Sequence, residues 1–224
     1  MRSAVTGLFG AVPRIPTGNM ILAAAVNPET YSNADDQILR LQRGDPEALT
    51  AILACYQHRL YRYLCRLVHD PALADDLFQQ TWLRVMEKIA RYDARARFDT
   101  WLFSVAHNLA IDHLRRQRGI SLDQPYAGEG DSRTSPADRL RSPGLDPLEE
   151  LLESERAAIL AAGMQELPAI HREVLSLRFE EGMRLEQIAE VAAVPVSTVK
   201  SRLHRALEGL RGAVERRIDG RRIG

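Results

Sequence analysis

The sequence predicts an all-α protein built as two small helical domains joined by a flexible linker, and three observations carry that expectation. Leu, Ala, Arg and Glu dominate, while Val/Ile/Thr-rich alternating runs are missing, which favours helices over strands. Apolar residues recur at 3.6-residue spacing over long stretches on both sides of the middle of the chain. The stretch 119–146 mixes Gly119, Pro125, Gly128, Gly130, Pro136, Pro143 and Gly144 with Ser and Asp, a composition that cannot bury a face.

The elements follow in order. Residues 1–34 carry Pro13, Pro16 and Pro28 with little periodicity and read as a disordered extension. Arg2, Leu8-Phe9 and the apolar run Met20–Val26 suggest a secretory signal, but Arg14 and two prolines interrupt any hydrophobic region, and the run is far too short to span a bilayer. Met20 is a second candidate start. Residues 35–118 read as a first helical domain. A helix over 36–43 is punctuated by Gly44-Asp45-Pro46, and the next puts Leu49, Ile52, Leu53, Tyr56, Leu60, Tyr63, Leu64 and Leu67 on one face. Asp70-Pro71 is a start signal, with Asp as N-cap and Pro at the first helical position. The following stripe is Leu73, Leu77, Phe78, Thr81, Trp82, Val85 and Ile89. A break is expected at 91–98, after which Asp99 or Thr100 caps a helix with Leu102, Val105, Ala106, Leu109 and His113 in register, and with Trp101 and Phe103 buried. After the linker, Asp146-Pro147 repeats the capped start, Pro168 opens another helix and Gly182 follows one. Residues 147–217 form the second domain and 218–224 a basic tail.

Formal net charge is zero, with 30 basic and 30 acidic residues, which by itself argues against an autonomous DNA binder. The distribution is uneven. Residues 196–222 hold eight basic and three acidic side chains (+5), 91–118 six and three (+3), and 121–155 three and nine (−6). Two basic patches flank an acidic middle. Cys55 and Cys65 lie about 15 Å apart along one helix at 1.5 Å per residue, so they cannot pair, and free thiols fit a reducing cytoplasm. Cys55, His58, Cys65 and His69 share a helix side that faces away from the leucine stripe, but one helix cannot bring all four to one zinc, so no metal is expected. No Gly-rich phosphate loop, nucleophile elbow or catalytic carboxylate pair is present, so neither cofactor nor enzymatic activity is expected.

The sharpest local signal spans Arg184 to Arg211. A short amphipathic helix (Leu185, Ile188, Ala189, Ala192) meets a break at Ala193-Val194-Pro195, and a second helix is expected to start with Ser197 or Thr198 as N-cap. Val199, Leu203, Ala206, Leu207 and Leu210 form its apolar stripe. Ser197, Thr198, Lys200, Ser201, Arg202, His204 and Arg205 occupy the rest of its first turns. This is a helix-turn-helix pattern, whose second helix puts N-terminal side chains against base edges in the major groove. Ala193 stands at a turn where Gly would be easier if a positive φ is required.

Residues 71–118, PALADDLFQQTWLRVMEKIARYDARARFDTWLFSVAHNLAIDHLRRQR, resemble sigma-70-type RNA polymerase sigma factors of the extracytoplasmic-function (ECF) subfamily, and so does 167–207, LPAIHREVLSLRFEEGMRLEQIAEVAAVPVSTVKSRLHRAL. The two stretches lie in the family's order and separation, and the span 35–212 is covered. The resemblance implies a region 2-like bundle over 35–118 and a region 4-like helix-turn-helix over 147–217. It implies that Asp75, Asp76, Gln79, Gln80 and Trp82 dock on the clamp of the polymerase β′ subunit, with Gln80 standing where relatives commonly carry Glu. It further implies that Arg91, Tyr92, Arg95, Arg97, Phe98, Asn108, Asp112, Arg115 and Arg116 recognise and open the −10 element, Asn108 being the favoured base contact. Arginines supply a cationic channel for single strands, and flat rings a stacking surface. The helix-turn-helix would read the −35 element as duplex. Implied partners are the polymerase core (β′ clamp and β flap), promoter DNA and an anti-sigma factor, with no membrane insertion. The acidic linker would thread a positive polymerase channel, and polymerase would supply much of the DNA affinity that a neutral chain lacks. The competing reading is a stand-alone helix-turn-helix regulator with 35–118 as a sensor or dimerisation domain.

Overall fold

The structure, a computed structural model, describes residues 36–93, 97–118 and 147–222. The expectations placed on 1–34, on the linker 119–146 and on Arg95 lie outside the described residues. Among the described residues eight α-helices follow one another: α1 (36–42), α2 (Pro46–Val68), α3 (Pro71–Lys88), α4 (Phe98–Arg118), α5 (Pro147–Gln165), α6 (Ala169–Leu175), α7 (Leu185–Ala192) and α8 (Val196–Arg222), with a 3-10 turn at Ile89–Arg91 and a π turn at Ser176–Glu180. No strand occurs among the described residues.

Of the three Asp-Pro pairs, Asp45-Pro46 and Asp70-Pro71 lie among the described residues and start α2 and α3, while Asp146 lies outside them. The Asp45 carboxylate accepts from the Glu47 N–H at 3.0 Å, and that of Asp70 from Ala72 and Leu73 at 3.0 and 3.2 Å. Both satisfy donors that the first helical turn leaves unpaired. Between them α2 ends at His69, which takes a left-handed φ of 56° and closes on the Cys65 carbonyl at 3.0 Å.

In the N-terminal bundle, α2, α3 and α4 pack around Ile52, Tyr56, Leu60, Tyr63, Leu64, Leu77, Val85, Leu102, Phe103 and Leu114. Rings cross edge to face within it, Tyr63 on Phe103 at 5.1 Å and Tyr56 on Phe98 at 5.3 Å. Gln42 on α1 donates to the carbonyls of Ile89 (2.9 Å) and Tyr92 (2.8 Å), tying the turn after α3 to the rest of the bundle. Trp101, expected to be buried, keeps part of its surface in solvent.

The C-terminal bundle has an aliphatic core of Leu175, Leu177, Ile188, Val191, Val199 and Ala206. α8 runs to Arg222, past the expected end near 217, because its second half lies along α5. Gly163 allows the close approach there: a Cβ on it would stand 3.2 Å from Leu210 Cδ1 and 3.4 Å from Val214 Cγ2. Arg216 and Arg217 then grip Glu166 at 2.8 and 2.7 Å. The two bundles are in contact, α4 against α7 and α2 against α6.

The cysteines differ from expectation. Cys55 and Cys65 are half-buried against the core, and burial pushes both thiols up from their ordinary value, which disfavours the reactive thiolate.

Candidate nucleic-acid and polymerase interface

The helix-turn-helix is built locally. At the start of α7 the Gln187 side chain accepts from the Arg184 N–H at 3.0 Å. Its end is Ala193, at φ 51° and ψ 45°, so a residue with a Cβ occupies the left-handed position the turn demands. The Val194 N–H returns to the Ala189 carbonyl at 3.1 Å. The Pro195 carbonyl then accepts from Thr198 (2.9 Å) and Val199 (3.2 Å), so α8 begins at Val196, earlier than the expected Ser197 or Thr198 cap. Proline provides this start because its fixed φ suits the edge of a helix and its missing N–H costs nothing there.

Val199 and Ala206 face the core, with Leu203 and Leu210 at its edge. That rotation leaves Ser197, Lys200, Ser201, His204 and Arg205 exposed on the opposite face and Thr198 half-buried. Arg202 departs from the expected set. It is half-buried on the core side and borders the small cleft lined by Ile170, Glu173, Ile188 and Val199. Ser201 Oγ donates to the Ser197 carbonyl at 3.1 Å, which turns its lone pairs outward, and His204 stands 3.3 Å from Glu208 one turn on. A strip of hydroxyls, a lysine, an arginine and an imidazole on the first turns of a helix can meet base edges and phosphates of a duplex.

On α3, Asp76, Gln79 and Gln80 are exposed and Asp75 is half-buried. Trp82 is 6% exposed and packs against Phe78, its indole N–H without a hydrogen-bond partner. It therefore orients the α3 face from beneath rather than forming it.

On α4, Asn108, Asp112, Arg115 and Arg116 fall one or two turns apart on a single exposed face. Arg91 is exposed after the 3-10 turn. Arg97 is exposed but tied to Asp99 by two hydrogen bonds, 2.7 and 3.2 Å, while Asp99 also accepts from the Thr100 N–H at 2.7 Å. Tyr92 and Phe98 were expected to offer stacking surfaces, yet they are 8% and 3% exposed. Their rings meet at 5.6 Å and both contact Trp101, at 4.9 and 5.6 Å. Their rings pack on one another, so in this arrangement they brace the turn, while Trp101 keeps part of its surface in solvent. The sequence reading missed Thr100, His107, Arg172, Glu173 and Gln187, which meet across the contact between the bundles.

Among the described residues, no group of three or more His, Cys, Asp or Glu could hold a metal ion, and no helix is long and apolar enough to cross a membrane.

Comparison with known proteins gives the same two-part division. The family described as Sigma-70 region 2 matches residues 52–120, and Sigma-70, region 4 matches 163–212. The chain is 30% identical over 177 residues to the ECF RNA polymerase sigma factor SigW of Bacillus subtilis, covering 78% of this chain and 93% of that protein. It is 32% identical over 182 residues to the RNA polymerase sigma-H factor of Pseudomonas aeruginosa, covering 81% and 94%. It is 34% identical over 172 residues to the RNA polymerase sigma factor CarQ of Myxococcus xanthus, covering 77% and 92%. Two solved structures share the fold: CnrH in complex with the cytosolic domain of CnrY (TM-score 0.55, 20% identity, 81% of this chain and 97% of that one), and the sigma factor RpoE in complex with the anti-sigma factor NepR from Bartonella quintana (0.53, 18%, 75% and 96%). With both sigma-70 regions present in order, and relatives matched over nearly their whole length, this chain belongs to the ECF subfamily of sigma-70-type RNA polymerase sigma factors.

Proposed function

We propose that this chain gives RNA polymerase its promoter specificity through two surfaces on two domains, 35–118 and 147–217, without catalytic chemistry of its own and in the cytoplasm. The observation that carries the reading is the pair of exposed polar helix faces, one on α4 and one on α8, each backed by buried apolar side chains and each within a separate sigma-70 region. Asn108, Asp112, Arg115 and Arg116, with Arg91, Arg95 and Arg97 earlier in the chain, meet the −10 element as it opens. Lys200, Ser201, His204 and Arg205, with Ser197 and Thr198 at the helix start, read the −35 duplex. The face of Asp75, Asp76, Gln79 and Gln80 docks on the β′ clamp, and the C-terminal domain on the β flap.

The acidic stretch between α4 and α5 suits a positively charged polymerase channel. An anti-sigma factor is the expected inhibitory partner, a reading supported by the RpoE–NepR complex among the related folds.

The test is transcription by purified core polymerase over a random promoter library. The chain should direct new, defined start sites with core and shift the same fragments weakly alone. Tight, salt-steep DNA binding without core, and unchanged start sites with it, would instead establish the stand-alone regulator.

A further inference from the structure

The first turns of α8 carry cations, as a duplex reader needs, yet one acid stands among them. Between Val196 and Arg211 the charged side chains are Lys200, Arg202, Arg205 and Arg211, against a single carboxylate, Glu208. Glu208 falls on the exposed face: Ser197, Ser201, His204 and Glu208 follow at steps of four, three and four residues and share one side of the helix. A carboxylate on a face that approaches phosphates costs affinity by like-charge repulsion, so its presence calls for a local use.

Its neighbours define that use. Arg211, three residues on, is engaged by Glu215 at 2.9 Å. Glu208 leans back toward the start of the helix, as helical side chains do, and its Oε1 stands 3.3 Å from His204 Nε2. Both side chains are exposed, 73% for His204 and 66% for Glu208, so the pair adds little to the stability of the fold. Its consequence is chemical. A neutral imidazole has one N–H and one lone pair, and an ionised carboxylate only accepts. Glu208 therefore draws the N–H to Nε2 and leaves Nδ1 as an acceptor.

We propose that Glu208 is a positioning residue of the −35 reader, fixing the tautomer of His204 so that Nδ1 accepts a hydrogen bond from the exocyclic amino group of cytosine or adenine in the major groove. This role rests on the reading of α8 as the helix that meets the −35 duplex. Cytosine N4 and adenine N6 are donors there, whereas guanine O6 and thymine O4 are acceptors. A nitrogen lone pair selects the first two and is repelled by the others. Lys200 and Arg205 are donors only and select the opposite, so one face reads both kinds of base edge. A phosphate is a poor alternative partner for His204, because the carboxylate one turn on repels it. Contact in the groove excludes water and strengthens the His204–Glu208 pair beyond its worth in solvent.

The test is promoter selection by core polymerase reconstituted with the full chain, over a library randomised in the upstream element, at about pH 8, where an imidazole is largely neutral. His204→Ala marks the position concerned as the one whose preference it erases. In the wild type that position should favour A or C over G and T about fivefold, the effect of one net hydrogen bond. Glu208→Ala, which frees the tautomer, should lower the preference to about twofold, and Glu208→Gln, whose side-chain oxygen still accepts, should keep it. Glu208→Lys offers only donors, moves the N–H to Nδ1, and should reverse the preference toward G or T. Ratios between bases cancel the uniform gain in phosphate attraction that a lysine brings. A preference that Glu208→Ala and Glu208→Lys leave as in the wild type, a wild-type preference for G or T, or a His204→Ala selection identical to the wild type's would overturn the role of Glu208 and leave the −35 reading standing. A wild-type holoenzyme that selects no upstream sequence would sink the −35 reading and this role with it.

Discussion

The N-terminal and C-terminal domains both present a polar helix face, yet different kinds of side chain back it. In the first, Tyr56, Tyr63, Phe98 and Phe103 interlock edge to face beneath α4. In the second, Phe179 is the single aromatic residue of 147–224, and it is 64% exposed, so Leu, Ile, Val and Ala do the packing. Rings bury more area per residue and carry a preferred geometry. The second domain also packs against α2 through Arg172 and Glu173, and its long last helix lies along its own α5.

The largest effect that could break this comparison comes from the cores themselves. Phe103→Ala should lose about 3–5 kcal/mol in urea unfolding, and Ile188→Ala about 2–5, because each opens a cavity under a fully buried side chain. Phe103→Ala should abolish polymerase binding, whereas Ile188→Ala should spare it and lose −35 recognition. Equal loss of both functions in both variants would show that the domains fold as one unit.

Next in size are the contacts of the recognition face. Lys200→Ala and Arg205→Ala should each weaken promoter binding by roughly 1–3 kcal/mol at unchanged melting temperature, Lys200→Ala with a shallower salt dependence. Arg202→Ala should lose stability before it loses sequence preference, as its half-buried position requires.

Much of this could be read from the chain. Asp-Pro pairs specify helix starts by local hydrogen bonding, so Asp45 and Asp70 needed no tertiary knowledge. The break at 193–195 followed from the change of apolar register between Ile188 and Val199. What escaped were the long-range polar contacts. Arg172 and Glu173 look like ordinary helix-surface charges, and only the docking of α6 onto α2 buries them. Tyr92 and Phe98 were legible as aromatic but not as inward-facing, since only the folded turn brings their rings onto one another and onto Trp101. The extension of α8 depended on α5, which its own composition does not reveal.

Two smaller effects sharpen the account of the second domain. Ala193→Gly should stabilise it by about 0.5 kcal/mol, as relief of the left-handed strain slightly exceeds the added chain entropy. The smallest effect concerns the brace between α5 and α8. The hydrogen bond from Arg216, then that from Arg217, holds the Glu166 carboxyl below its ordinary value of 4.5. A lowered carboxyl stabilises the fold above that ordinary value and loses its contribution as pH falls through the lowered one. Glu166→Gln should therefore be slightly less stable than the wild type near pH 7, with the gap closing below 4.5 in acid titrations followed by circular dichroism.

Footprinting of a promoter by the reconstituted holoenzyme tests the central claim most directly. The account predicts two protected stretches: an upstream duplex patch lost in Lys200→Ala, and a downstream patch, reactive to permanganate as strands part, lost in Asn108→Ala. Protection no different from that of core polymerase alone, or a single patch abolished by either substitution, would contradict it.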